Sequence, residues 1–154
     1  MSEEPQSLAH AGAATERLVA KVHAAVERHA EAIACIYLFG SAARGEAGPL
    51  SDLDVGIVFA EAVAPQARME IAAALAGELQ EMSGALVDVT ILDEAPPALK
   101  HGAIRDGRLV FVADEARRVH FEATAIREYL DFRPVLTRYD RELFQRAREG
   151  RFGT

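Results

Sequence analysis

Two apolar runs bracket a short breaker-rich stretch, and this arrangement constrains the chain more than any other feature. Residues 33–40 read IACIYLFG: a continuous, β-rich apolar run too short for a helix. Residues 52–60 read DLDVGIVFA, which alternates. Leu53, Val55, Ile57 and Phe59 share one face, while Asp52, Asp54, Gly56 and Val58 share the other. Between the runs, residues 41–51 carry Gly45, Gly48 and Pro49, so this stretch reads as a loop. The first strand is therefore expected to end at Gly40, and the second to open with two aspartates on the same face. Residues 86–92 repeat the design: Val87, Val89 and Ile91 face one way, Asp88 and Thr90 the other. Helices are expected to cover the fully apolar faces, leaving the carboxylate faces wet or working.

The remaining segments supply those helices. Leu18, Val22, Ala25, Val26 and His29 recur at helical spacing. Pro65 opens and Gly84 closes a second helical stretch with the stripe Met69, Ala72, Leu75, Ala76, Leu79 and Met82, which reads as core packing. A short helix near 96–105, a turn and the strand RLVFVA follow. The C-terminal region reads as two helices, 114–130 and 134–149, separated near Pro134. Length of 154 residues points to one domain: an N-terminal helix (1–33), a sheet core (34–113) and C-terminal helices (114–154).

Composition removes several classes of function. No apolar run approaches the roughly 20 residues of a membrane span, and the acidic N-terminal stretch lacks the layout of a signal peptide. A lone cysteine, Cys35, excludes an internal disulfide framework and a cysteine zinc cluster, so a reduced cytoplasm is the expected compartment and a buried thiol the expected role. The histidines His23 and His29 have no ligand partner in view and read as ordinary helix residues. The formal charge of −7 argues against a direct nucleic-acid partner. That charge is uneven: residues 117–154 hold nine arginines and six acids, a net of +3, against −10 for the rest. The arginines read either as a solvated helix surface or as a docking face for an acidic partner.

The three aspartates carry the chemistry. Residues i and i+2 of a strand project from one face about 6.5–7 Å apart, so Asp52 and Asp54 repel one another unless a cation intervenes. A hard divalent ion such as Mg²⁺ takes carboxylate, phosphate and water oxygens. Asp88 would add a third carboxylate if its strand lies beside theirs, which suits a two-metal site for in-line displacement. In the loop, Gly40 permits close approach of a ligand to the backbone, Ser41 supplies a hydroxyl and Arg44 a phosphate-neutralising guanidinium. The glycine spacing fits neither a Walker loop nor a dinucleotide fingerprint.

Singly, these are weak signals; together they spell G-S-x₁₀-D-x-D from Gly40, Ser41, Asp52 and Asp54. In this the sequence resembles the nucleotidyltransferase superfamily with the polymerase-β-like fold, and GSAARGEAGPLSDLDV resembles its minimal nucleotidyltransferase (MNT) antitoxins, partners of HEPN toxins. The match covers about residues 36–59, extended to about 92 by Asp88. The resemblance implies an α+β (α/β) fold, with a mixed sheet, helices on one face and C-terminal helices. It implies two Mg²⁺ ions on Asp52, Asp54 and Asp88, and ATP held through its β- and γ-phosphates by Gly40 and Ser41 with Arg44. It further implies AMP transfer to a tyrosine hydroxyl of a HEPN ribonuclease toxin, silencing it within a hetero-oligomer. Two alternatives remain open at this point. One is a non-catalytic antitoxin that neutralises by binding; the other is the same chemistry on a small-molecule or tRNA acceptor.

Overall fold

The computed structural model describes residues 4–40 and 53–148. Helix α1 (Glu4–Val26) ends in a 3-10 turn at Glu27–His29 and leads into strand β1 (Ile33–Phe39). Strand β2 (Leu53–Phe59), helix α2 (Pro65–Ser83) and strand β3 (Val87–Ile91) follow. Helix α3 (Pro97–Asp106), strand β4 (Arg108–Val112) and helix α4 (Glu115–Arg148) complete the described chain. The strands form one mixed sheet in the order β3-β2-β1-β4. Strand β1 pairs antiparallel with β2 and β4, and β2 pairs parallel with β3 through the α2 crossover. This is the expected α+β architecture with a mixed sheet, except that helices, expected on one sheet face, cover parts of both: α3 and α4 supply Ala103 and Phe121 to the second face.

The interior position of β1 explains its unbroken apolar sequence. Six of its seven residues are buried because helices lie on both sheet faces. On the first face, Ile36, Leu38, Val55, Ile57 and Phe59 pack with Val22 and Val26 of α1 and Leu75 and Leu79 of α2. On the second face, Cys35, Tyr37 and Val58 meet Leu92, Ala103 of α3 and Phe121 of α4. Strict alternation would send Ala34 and Cys35 to opposite sides. The register shift between Ile33 and Cys35 places both in the second cluster instead. The Ala34 carbonyl then accepts two N–H groups, from Ala113 (2.8 Å) and Asp114 (3.2 Å).

The second face is thus not open along its whole length. Gly56 is buried there because its missing side chain makes room for Leu92: a Cβ at this position would lie 2.6 Å from Leu92 Cδ1. Among the described residues, Asp54 is the one position of β2 that is not buried. Among the helical expectations, α2 starts and stops as read, with Pro65 in its first turn and Gly84 as a left-handed C-cap whose N–H bonds the Gln80 carbonyl. Its stripe is narrower than expected, however. Ala72, Leu75 and Leu79 are buried, but Met69 is 64% exposed and Met82 also lies at the surface, because the sheet is only wide enough to cover the middle of the stripe. His23 stacks edge-on against Phe111, and His29 sits 3.8 Å from Glu78.

The expected break at Pro134 does not occur: α4 runs through it. Proline deletes one N–H and crowds the carbonyl four residues back, here that of Leu130. Both residues lie on an exposed part of the helix, where water can satisfy the freed carbonyl. Thr137 also donates its hydroxyl to the Arg133 carbonyl at 3.0 Å, adding a bond beside the defect. No helix among the described residues is long and apolar enough to cross a membrane.

A side chain completes the sheet where β3 stops. The β2–β3 ladder ends at the Ile57–Ile91 pair, two residues short of Phe59. Asp93, in the 3-10 turn after β3, accepts the Phe59 N–H through Oδ2 at 2.9 Å and the Arg117 guanidinium through Oδ1 at 2.6 Å. Arg117 also donates to the Phe59 carbonyl at 3.2 Å, fastening the first turn of α4 to the end of β2. The Asp93 side chain is 5% exposed, so its loss would strand a buried cation and an N–H. Asp93→Ala is expected to cost about 2–4 kcal/mol of stability, read as a lower urea midpoint at unchanged slope.

Candidate active site

The open end of the sheet is where the sequence motif falls. Phe39, the last residue of β1, pairs with Asp54 of β2, and Gly40 follows with φ of +71°. That left-handed backbone bends the chain over the Asp54 side chain. A Cβ on Gly40 would lie 2.3 Å from Asp54 Oδ2, so glycine is required twice, for its dihedral and for room. On the other edge of β2, Asp54 stands directly opposite Asp88 in the parallel register. The two share the face that carries Gly56 and Val58 on β2 and Thr90 on β3, while Val87, Val89 and Ile91 join the first core, as expected. Asp54 is half-buried and Asp88 exposed.

Gly40, Asp54 and Asp88 therefore come together. Ser41, Arg44 and Asp52, the other residues singled out by sequence, lie outside the described residues. What the sequence could not foretell is the service Gly40 performs for Asp54, since only backbone geometry reveals a positive φ. Asp93 was likewise unmarked by any pattern, because its role depends on where β3 stops.

Neighbouring strands stand about 4.8 Å apart, so Asp54 and Asp88 repel by about 1 kcal/mol in water and about 3 kcal/mol at a protein-like dielectric. The exposure of Asp88 favours the lower figure. Paired carboxylates on one strand face are hard oxygen donors of the kind Mg²⁺ takes. Among the described residues no group of three or more His, Cys, Asp or Glu forms; of this site's carboxylates they contribute two, Asp54 and Asp88. That is within the usual requirement of Mg²⁺, which fills its remaining positions with water and phosphate oxygens.

Farther along the same face the environment turns dry. Burial pushes the Cys35 thiol up to about 12, so it carries no thiolate at neutral pH and is no nucleophile. Burial, together with the 2.5 Å hydrogen bond it donates to Glu122, likewise raises the Tyr37 hydroxyl. Glu122 in turn pairs with Arg118 at 2.9 Å, and Arg118 also holds Glu115. This network ties α4 to β1 through a buried hydroxyl and an ion pair.

A family model described as "Polymerase beta, Nucleotidyltransferase" matches residues 21–116, from the end of α1 into the start of α4. The chain belongs to this nucleotidyltransferase family. No curated protein matches the sequence. Solved structures share the nucleotidyltransferase fold seen here at low identity. A chain of a toxin–antitoxin crystal structure with AMP-PNP is 21% identical with a TM-score of 0.68, covering 82% of this chain and 98% of that one. A chain from the complex of tri-AMPylated Shewanella oneidensis HEPN toxin with MNT antitoxin is 19% identical with a TM-score of 0.65, covering 84% and 98%. A chain of the MntA–HepT toxin–antitoxin is 19% identical with a TM-score of 0.63 over the same shares.

Gly40→Ala tests the close approach of the Gly40 backbone to Asp54. It is expected to cost at least about 1–2 kcal/mol from the left-handed backbone alone, with the clash added, seen as a lower Tm. Wild-type stability in this variant would mean that Gly40 does not hold the observed conformation.

Proposed function

We propose that this chain is an MNT-type antitoxin that transfers AMP from ATP to a tyrosine hydroxyl of a cognate HEPN ribonuclease toxin. The observation that carries the reading is the register that sets Asp54 opposite Asp88 beneath Gly40, at the position of the G-S-x₁₀-D-x-D motif. The fold-level likeness to chains from toxin–antitoxin complexes supports it, one solved with AMP-PNP and one with a tri-AMPylated HEPN toxin.

In this reading Asp52, Asp54 and Asp88 hold two Mg²⁺ ions, which when bound neutralise charge on the phosphates and on the attacking and leaving oxygens. The protein's own groups do the positioning. Gly40 offers its backbone to the β- and γ-phosphates, Ser41 donates its hydroxyl, and Arg44 balances their charge. Asp88, exposed on the edge strand, would assist loss of the acceptor proton through its carboxylate. The acceptor oxygen forms a bond to the α-phosphorus as the bond to pyrophosphate breaks. Rate enhancement arises from alignment and electrostatics, with no covalent enzyme intermediate.

The decisive experiment incubates the protein with the candidate toxin, Mg²⁺ and each NTP in turn, and weighs the toxin by intact mass spectrometry. A gain of one or more AMP masses with ATP is expected, abolished by chelation. An unmodified toxin that is nonetheless neutralised would assign the protein to binding without catalysis. Asp52→Asn should abolish transfer and spare the fold. In the absence of Mg²⁺ it should raise stability slightly, by relieving carboxylate repulsion, and a large fall in Tm would instead make Asp52 structural. The exposed arginines of α4 are proposed to meet an acidic surface of the toxin. Reversing Arg138 and Arg141 to Glu should weaken toxin binding about tenfold and steepen no salt dependence. Unchanged affinity would leave them a solvated surface.

A further inference from the structure

Helix α4 has one face whose use the chemistry does not explain. Phe121 and Ala125 are buried against the sheet and α3. The same face continues past the globular body as Phe132, Leu136, Tyr139 and Leu143, at successive spacings of four, three and four residues. That 3-4 spacing is the seam of a paired helix. Beyond the body most of the seam is exposed: Tyr139 is 61% exposed, and Phe132, Leu143 and the adjoining Val135 are also exposed, while Leu136 between them is half-buried. Pro134 falls on the opposite face, where the carbonyl it frees can be hydrated without disturbing a neighbour packed on the seam.

We infer that this seam pairs with the same seam of a second copy of the chain, antiparallel, about a two-fold axis between Thr137 and Arg138. The argument is self-complementarity. About that axis Phe132 meets Leu143 of the second copy, and Leu136 meets its Tyr139, so four apolar layers form along the seam. Arg133 and Asp140 flank the seam on one side, seven residues apart. The same axis sets Arg133 of each copy against Asp140 of the other, giving two opposite-charge pairs at the positions that select partner and direction in paired helices. A parallel pairing would instead rely on Glu128 for Arg133, and Glu128 is already held by Lys100 at 3.2 Å. The antiparallel pairing also places the two globular bodies at opposite ends, clear of one another. Arg138 and Arg141 stay on the outer side, so this pairing does not depend on the toxin reading and leaves those arginines available to it.

Sedimentation equilibrium of the full chain tests the inference. Its mass should rise with concentration from 16.7 kDa towards twice that value. Arg133→Asp and Asp140→Arg each replace two attractions by two repulsions, and each should weaken the dimer about tenfold or more. Mixed in equal amounts, the two variants regain complementary charges and should associate as tightly as the original chain. Leu136→Asp should abolish association while circular dichroism shows the body still folded. A mass of one chain at every concentration would overturn the inference and assign the seam to a different protein. So would a dimer indifferent to residues 133 and 140, or a mixture no tighter than its components.

Discussion

The register between β2 and β3 governs the rest of the molecule. Because side chains alternate strictly along a strand, a slip of one residue would turn Asp54 into the α1–α2 core and expel Val55 and Ile57. The apolar side of both strands makes such a slip prohibitive, since each fully buried aliphatic side chain is worth roughly 1.5–3 kcal/mol. Hydrophobic burial on one face thus fixes where the carboxylates stand on the other. The antiparallel pairing of β1 acts in the same direction, bringing Gly40 over Asp54 as the strand ends.

The sheet's second face is divided between two environments, and this division separates stability from chemistry. Towards Cys35 and Tyr37 it is covered by α3 and α4, and ionisation is suppressed. Towards Asp54 and Asp88 no described helix covers it, and the carboxylates stand there. Gly56 stands at the boundary, where its lack of a side chain lets Leu92 seal the dry half without displacing the strand. A pair of repelling carboxylates is tolerated at one end because the core is complete at the other.

Much of this was readable from residue order. The alternation of residues 53–59 and 87–91 revealed both strands, both faces and the shared orientation of Asp54 and Asp88. Proline and glycine marked the limits of α2. The failures came where a pattern was overridden by context. The Met69 and Met82 ends of an apolar stripe outran the sheet that should cover them. Pro134 did not break α4, because an exposed helix can hydrate the carbonyl that proline frees. The bulge at Ala34 and Cys35 was hidden because every residue around it is apolar, leaving no alternation to interrupt. The left-handed turn at Gly40 and the bridging by Asp93 depend on three-dimensional closure, and no local signal encodes them.

The attachment of α4 has a mechanical consequence. Its first turns are clamped to the sheet through Arg117, Asp93 and the Tyr37–Glu122–Arg118 network. The helix is about 50 Å long, and roughly half of that length overhangs the body. A rod clamped near one end is a lever whose fulcrum is the clamp. A tilt of about 5° there would carry the far tip roughly 2 Å over an overhang of about 25 Å. Conversely, a load applied at the tip reaches β2 with its force multiplied, at the Phe59 end of the strand that bears Asp54.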